Sequence, residues 1–117
     1  MLIKIFVRTF PSTEDCELFE SILETRWPKL LQQVKGVRFW AIKNSKTPNV
    51  SVVLWEFPDL DSMKKIEKLI DKNIVKYVKT LAPKTVKFTG AVTQDFGKHR
   101  FKIKNLFNSP KMITNIH

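Results

Sequence analysis

The sequence predicts an α+β sandwich in which an antiparallel sheet carries two helices on one face. Three observations predict it. Four short runs rich in β-branched and aromatic residues alternate with two runs of helical periodicity in the order strand, helix, strand, strand, helix, strand. Proline, glycine or a polar cluster stands at nearly every junction. The run after Pro58 repeats apolar residues at three- and four-residue steps, which demands a partner surface, and the strand before it is the nearest one.

The first strand spans Leu2 to Phe10. Its alternation puts Ile3, Ile5 and Val7 on one side and Lys4, Phe6, Arg8 and Phe10 on the other, so one face is aliphatic and the other mixes cations with rings. Pro11 ends it, and Ser12 or Thr13 caps a helix whose stripe is Cys16, Phe19, Ile22, Leu23, Trp27, Leu30, Leu31 and Val34. Pro28 lies inside that stripe. Its missing amide and ring clash predict a break or kink near Arg26, with Pro28 as a candidate start of a short second segment before Gly36 turns the chain.

Val37 to Lys43 reads as the second strand, Asn44 to Asn49 as a polar turn, and Val50 to Phe57 as the third strand, which makes a hairpin. Asp61 or Ser62 is the expected cap of the second helix, whose stripe of Met63, Ile66, Leu69, Ile70, Ile74, Tyr77, Val78 and Leu81 runs unbroken to Pro83. Thr85 to Thr93 supplies the fourth strand, with Gly90 marking a bulge or a close backbone approach. The order β-α-β-β-α-β is that of a ferredoxin-like sandwich. Residues 1–97 make up this domain; residues 98–117 form a basic C-terminal extension. There the alternation Phe101-Lys102-Ile103-Lys104 predicts an extra strand or an arm on a partner subunit.

A chain of 117 residues with 43% hydrophobic content is the size of one domain and buries most of its apolar surface in one core. It holds no apolar run long enough to cross a membrane, and Met1 to Arg8 enters a strand pattern directly; both predict a cytoplasmic, unexported protein without a membrane partner. Cys16, the one cysteine, falls on the first helix's apolar stripe and reads as a small buried hydrophobe. The net charge of +10 is lopsided: residues 1–61 hold 8 Lys/Arg and 8 Asp/Glu, residues 62–117 hold 13 and 3. An anionic partner is the physical implication of that excess.

Catalytic and metal chemistry leaves little trace. His99 and His117 lie without carboxylates or cysteine at ligand spacing, and glycines at 36, 90 and 97 cannot build a phosphate loop. No metal and no cofactor is expected, and no catalytic residue can be nominated.

The pleat decides what the uncovered sheet face offers. With Ile3, Ile5 and Val7 toward the helices, Lys4, Phe6, Arg8 and Phe10 lie on the open face with Trp40 and Trp55 as candidate neighbours. Large apolar side chains left in water predict a dimer, a ligand or a nucleic acid.

Gly36-Val37 leading into the second strand, Trp55-Glu56-Phe57 before an acidic turn and a Ser62-capped helix, and the strand order over residues 1–96 together resemble the dimeric α/β-barrel superfamily of antibiotic-biosynthesis-type monooxygenases and stress-responsive barrel proteins. The resemblance implies a homodimer whose sheets pack face to face around a pocket for an apolar or aromatic molecule. Phe6, Arg8, Trp40 and Trp55 are the expected lining, the rings for shape and Arg8 for an anionic group. Cofactor-independent oxidation is the activity the resemblance carries. The asparagine on the first strand and histidine on the second helix of the haem-degrading members are missing here; Trp55 alone matches their tryptophan.

A second reading starts from Lys64, Lys68, Lys72, Lys76 and Lys79, nearly in register along the second helix, with Arg100, Lys102 and Lys104 in the extension. Acids of the first helix, Glu14, Asp15, Glu17, Glu20 and Glu24, are placed to neutralise that stripe if the helices lie side by side. Left unneutralised, it would suit a nucleic-acid backbone, although the third strand lacks the glycine and aromatic spacing of an RNA-recognition motif.

Overall fold

In the computed structural model, which describes residues 1–97, the elements are β1 (Leu2–Thr9), α1 (Thr13–Leu30), a 3₁₀ turn (Leu31–Gln33), β2 (Arg38–Ile42), β3 (Val50–Phe57), α2 (Leu60–Asn73), α3 (Val75–Leu81) and β4 (Lys84–Ala91). The sheet has the order β2-β3-β1-β4, antiparallel throughout, so that among the described residues β1 and β3 are central and β4 is an edge. This is the ferredoxin-like sandwich that the element order predicts. The expected extra strand or arm lies outside the described residues.

The pleat of β1 is the reverse of the expected one. Phe6 and Arg8, followed by Phe10, are buried beneath the helices with Ser51, Val53, Trp55 and Phe57 of β3. Ile3, Ile5 and Val7 face the open side. Alternation shows that a strand has two faces without saying which is inside; ring area decides here, because each buried aromatic removes more apolar surface than a valine or isoleucine. Lys4, on the inner face near the start of β1, has a side chain only 13% exposed and is paired there with Glu67 of α2 at 2.7 Å. Trp55 centres the core, edge-on to Trp27 at 4.6 Å, 4.8 Å from Phe39 and stacked with Phe57 at 5.9 Å.

Register then lists the open face. Ile5 stands between Leu54 and Phe88, with Trp40 beyond Leu54; Val7 stands between Val52 and Val86, with Ile42 beyond Val52. Trp40 is 41% exposed, Phe88 64% and Val86 67%. This aliphatic and aromatic patch, without Phe6 or Arg8, is uncovered among the described residues.

Three local expectations also change. α1 runs through Pro28 to Leu30 instead of breaking near Arg26, because Trp27 and Leu23 are pinned in the core and an exposed proline in the last turn forfeits little. Asp59, two or three residues earlier than expected, caps α2 by accepting the Ser62 amide at 2.8 Å; Ser12 caps α1 from the Asp15 amide at 3.1 Å. The long second helix divides at Ile74, whose ψ of −38° accompanies a φ of −116°. Just before it the Asn73 side-chain amide donates to the Leu69 carbonyl at 3.0 Å, the acceptor its own backbone amide would use in a helix. Gly90 holds no bulge, since the β1–β4 register is continuous from Leu2 with Ala91 to Thr9 with Lys84; the Phe88 ring lies where a side chain at 90 would begin, about 3.0 Å from it.

α3 ends on Ala82 in the left-handed region, φ 47° and ψ 51°, immediately before Pro83. A Cβ in that conformation costs roughly 1 kcal/mol. Ala82→Gly is therefore expected to raise stability by up to about 1 kcal/mol, read as the urea midpoint. At the other end of this helical pair, the Ser62 backbone amide holds the Asp59 carboxyl below the usual carboxylate range. The stabilisation this adds is complete above the unfolded pKa, about 3.9, and is lost as pH falls through the lower folded value. Asp59→Asn keeps the cap and should flatten the acid side of the stability curve, measured as urea midpoints between about pH 2 and pH 7.

Candidate functional site

Reversal of the pleat moves Arg8 from the open sheet to the interior, and the site follows it. Its side chain is 5% exposed and lies against two rings, the guanidinium carbon 4.3 Å from the Phe6 centroid and 5.0 Å from that of Phe19. Among the described residues it makes no hydrogen bond and no ion pair, and its Nε is fully enclosed and unsatisfied. Opposite it on β3, the Ser51 hydroxyl is likewise buried without a partner. Burial alone pulls the Arg8 pKa down to about 10. Ring faces offset part of the desolvation cost, but an uncompensated guanidinium in a core remains expensive.

Arg8 lies where two spaces meet. Outward is a cleft of about 520 Å³. Its floor is the inner face of β1 and β4, with Lys4, Phe6, Thr85 and Lys87; its wall is Glu67, Ile70 and Asp71 of α2 with Val75 and Val78 of α3. Inward is a void of about 10 Å³ lined by Phe6, Arg8, Ile70 and the rings of Trp27, Phe39 and Trp55, among others. Phe6, Arg8 and Ile70 border both. The cleft thus offers three cations, Lys4, Arg8 and Lys87, whose charged groups lie 5.4, 4.3 and 6.0 Å from the Phe6 ring centre. Glu67 is engaged by Lys4, so of the two acids Asp71 alone remains to answer the rest.

Phe6, Arg8 and Trp55 come together around the inner void. Trp40 does not join them: it stands on the open face under the Arg38 guanidinium, on the far side of the sheet. The expected lining residues thus lie on both sides of the sheet, and the cleft lies between sheet and helices. Lys87, Thr85, Ile70, Asp71, Val75 and Val78 were not anticipated. Their signal was the lateral strand order, which sets β4 next to β1 and beyond the cover of the helices; periodicity along one strand carries no such information.

Other chemistry is sparse. The Cys16 thiol is buried, donates toward Glu20 at 3.7 Å and is pushed up to about 11, first by burial and then by the Glu20 charge, which keeps it protonated and unreactive. Glu56 lies 3.9 Å from Arg38 across β2 and β3. No group of three or more potential metal ligands occurs among the described residues, and no helix among them is long and apolar enough to cross a membrane. Lys64, Lys68, Lys72, Lys76 and Lys79 are exposed on α2 and α3. Among the described residues no acid of α1 forms an ion pair with them, and Glu20 pairs with Lys43 of the β2–β3 loop. Arg100, Lys102, Lys104, His99 and His117 lie outside the described residues.

Comparison with known proteins places the fold. No family model matches the chain, and no curated protein sequence does. Solved structures do match. A dimeric ferredoxin-like protein from an uncultured marine organism has a TM-score of 0.70 at 20% identity, over 84% of this chain and 92% of that one. A presumed antibiotic biosynthesis monooxygenase from Deinococcus radiodurans has a TM-score of 0.70 at 13% identity, over 85% and 99%. SnoaB, a cofactor-independent oxygenase from Streptomyces nogalater, has a TM-score of 0.60 at 14% identity, over 83% and 97%. At these identities the likeness is one of architecture, and the chain has the ferredoxin-like fold that these dimeric and monooxygenase-type proteins share.

Proposed function

We propose that the protein is a homodimer of the α/β-barrel type in which each protomer uses the Arg8 cleft to bind a small apolar molecule carrying an anionic oxygen. Cofactor-independent oxidation is the reaction proposed for it. The carrying observation is Arg8 itself: a buried guanidinium without a counter-ion among the described residues, at the junction of a cleft and a ring-lined void. A fold gains nothing in stability from such a group, which destabilises the free protein until an anion arrives. The cleft's remaining walls, Phe6, Ile70, Val75 and Val78, suit an apolar body, and Lys87 adds a second cation near the first. An anionic oxygen beside Arg8 would have its negative charge stabilised by a donor already in place, which favours the deprotonated form of the molecule, the form whose electrons dioxygen, the oxidant of such a reaction, would accept.

The homodimer reading is supported by the open sheet face. Ile5, Val7, Trp40, Ile42, Val52, Leu54, Val86 and Phe88 form a contiguous apolar surface that water alone would leave expensive. The similar marine protein is described as dimeric, and packing two such faces together gives the barrel. The pocket in this reading lies on the helix side of each sheet, and Trp40 belongs to the interface.

Arg8→Met separates a functional arginine from a structural one. Stability should rise, by on the order of 1 kcal/mol in the urea midpoint, because a buried unpaired charge gives way to an apolar side chain of similar length. Binding of 1-naphthoate, an apolar double ring with a carboxylate, should weaken at least tenfold by calorimetry, and a variant that loses stability while keeping its naphthoate affinity would sink the cleft reading. Light scattering at micromolar concentration should give the mass of two chains for the parent and of one for Phe88→Asp. A parent that runs as one chain overturns the barrel.

A further inference from the structure

The outer face of α2 and α3 takes no part in the cleft. Lys64, Lys65, Lys68 and Lys72 on α2, with Lys76 and Lys79 on α3, are all exposed. At about 100° per residue the four on α2 fall within one sector of about 100°, opposite Met63, Ile66 and Ile70, which pack into the core. Glu67 and Asp71 turn to the cleft instead. None of the six lysines makes an ion pair among the described residues. Lys65 only approaches Asp59 closely enough to help lower that carboxyl, and Lys76 lies over the Tyr77 ring at 5.1 Å. Lysines at four-residue spacing repel one another; Asp61, exposed one turn before Lys64 and Lys65, falls in their sector, but no ion pair relieves the row among the described residues. Together with 13 Lys/Arg against 3 Asp/Glu over residues 62–117, this is a surface whose compensating charge must come from outside the chain.

We propose that this face binds a nucleic-acid duplex through its phosphates, without regard to sequence. From Lys64 to Lys72 is about 12 Å of helix, a length over which a duplex presents about seven phosphate charges; few other partners offer so dense a negative row. An anionic membrane fits less well, because an interfacial helix dips rings or leucines into the lipid and the apolar side of α2 is committed to the core. Single strands are held by stacking on exposed rings. Tyr77, the one ring on α2 or α3, is half-buried and accepts a hydrogen bond from Arg26 at 2.6 Å. Base reading also needs side chains able to pair with base edges in a groove, whereas lysine heads on a protruding face contact the backbone.

Fluorescence anisotropy of the full chain with a labelled duplex of about 20 base pairs tests this. The logarithm of the affinity should fall linearly with the logarithm of the salt concentration, with a slope near −5 for five to six phosphates neutralised, and equally for two unrelated sequences. The triple variant Lys64→Gln, Lys68→Gln, Lys72→Gln should bind at least tenfold more weakly at low salt and with a slope shallower by about 3. Lys76→Gln with Lys79→Gln should flatten it by about 2, which gives a second readout on a separate helix. The proposal is overturned by any of four results: no duplex binding at about 20 mM salt, triple-variant binding as tight as the parent's, tighter binding to a single strand of the same length, or capture by phosphatidylserine vesicles in preference to the duplex. Unchanged 1-naphthoate affinity in the triple variant shows that the two surfaces are independent.

Discussion

Burial of Arg8 is the constraint on which the rest of this structure depends. Placing Phe6 and Arg8 beneath the helices fixes the pleat of β1; through the antiparallel ladders it fixes that of β3 and β4 as well. From that choice follow the ring-centred core around Trp55, the cations on the cleft floor, and the aliphatic character of the opposite sheet face. The opposite pleat would have left Phe6 in water with Arg8 and handed the helices a thinner layer of Ile3, Ile5 and Val7. Ring area outweighs the desolvation of one guanidinium, and Phe6 and Phe19 soften that desolvation by offering it their faces.

Much of the fold was legible because its signals are local. Strand alternation, the prolines at 11, 58 and 83 and the turn at Gly36 mark the elements where they occur, and Gly36 does adopt φ +76° with Pro58 close against it. The site was less legible. Phe6, Arg8 and Trp55 could be picked out by type, a cation among rings, but which side of the sheet they occupy is a property of packing between strands. Trp40 shares their chemistry and lies across the sheet from them. Lys87, Thr85 and Asp71 belong to the cleft only because β4 pairs with β1 at the edge and α2 crosses nearby, neither of which any single stretch encodes. The second helix divides at Ile74, next to Asn73, whose side-chain amide donates to the Leu69 carbonyl, and no apolar period marks that place.

The two surfaces assigned a role differ in kind. The cleft is concave, partly apolar and centred on a charge that the protein has already desolvated, so affinity there rests on shape and on relieving a buried cation. The α2–α3 face is convex and fully wet, and attraction there is long-ranged and screened by salt. In a dimer joined through the open sheets, the helices of both protomers remain outermost, so the lysine rows would be carried on opposite outer faces while each cleft keeps its own opening.

The position of β4 has one more effect. Among the described residues β4 is hydrogen-bonded along one side only, and an unpaired row of amides and carbonyls is a template on which a stray chain can add. Lys87 turns its ammonium inward over the Phe6 ring from this strand, and Lys84 begins it with another charge; cations set so are a recurrent defence against lateral growth of sheets. Lys87, one of the three cations of the cleft, thus also stands on the border of the sheet, where an apolar replacement would remove one such defence.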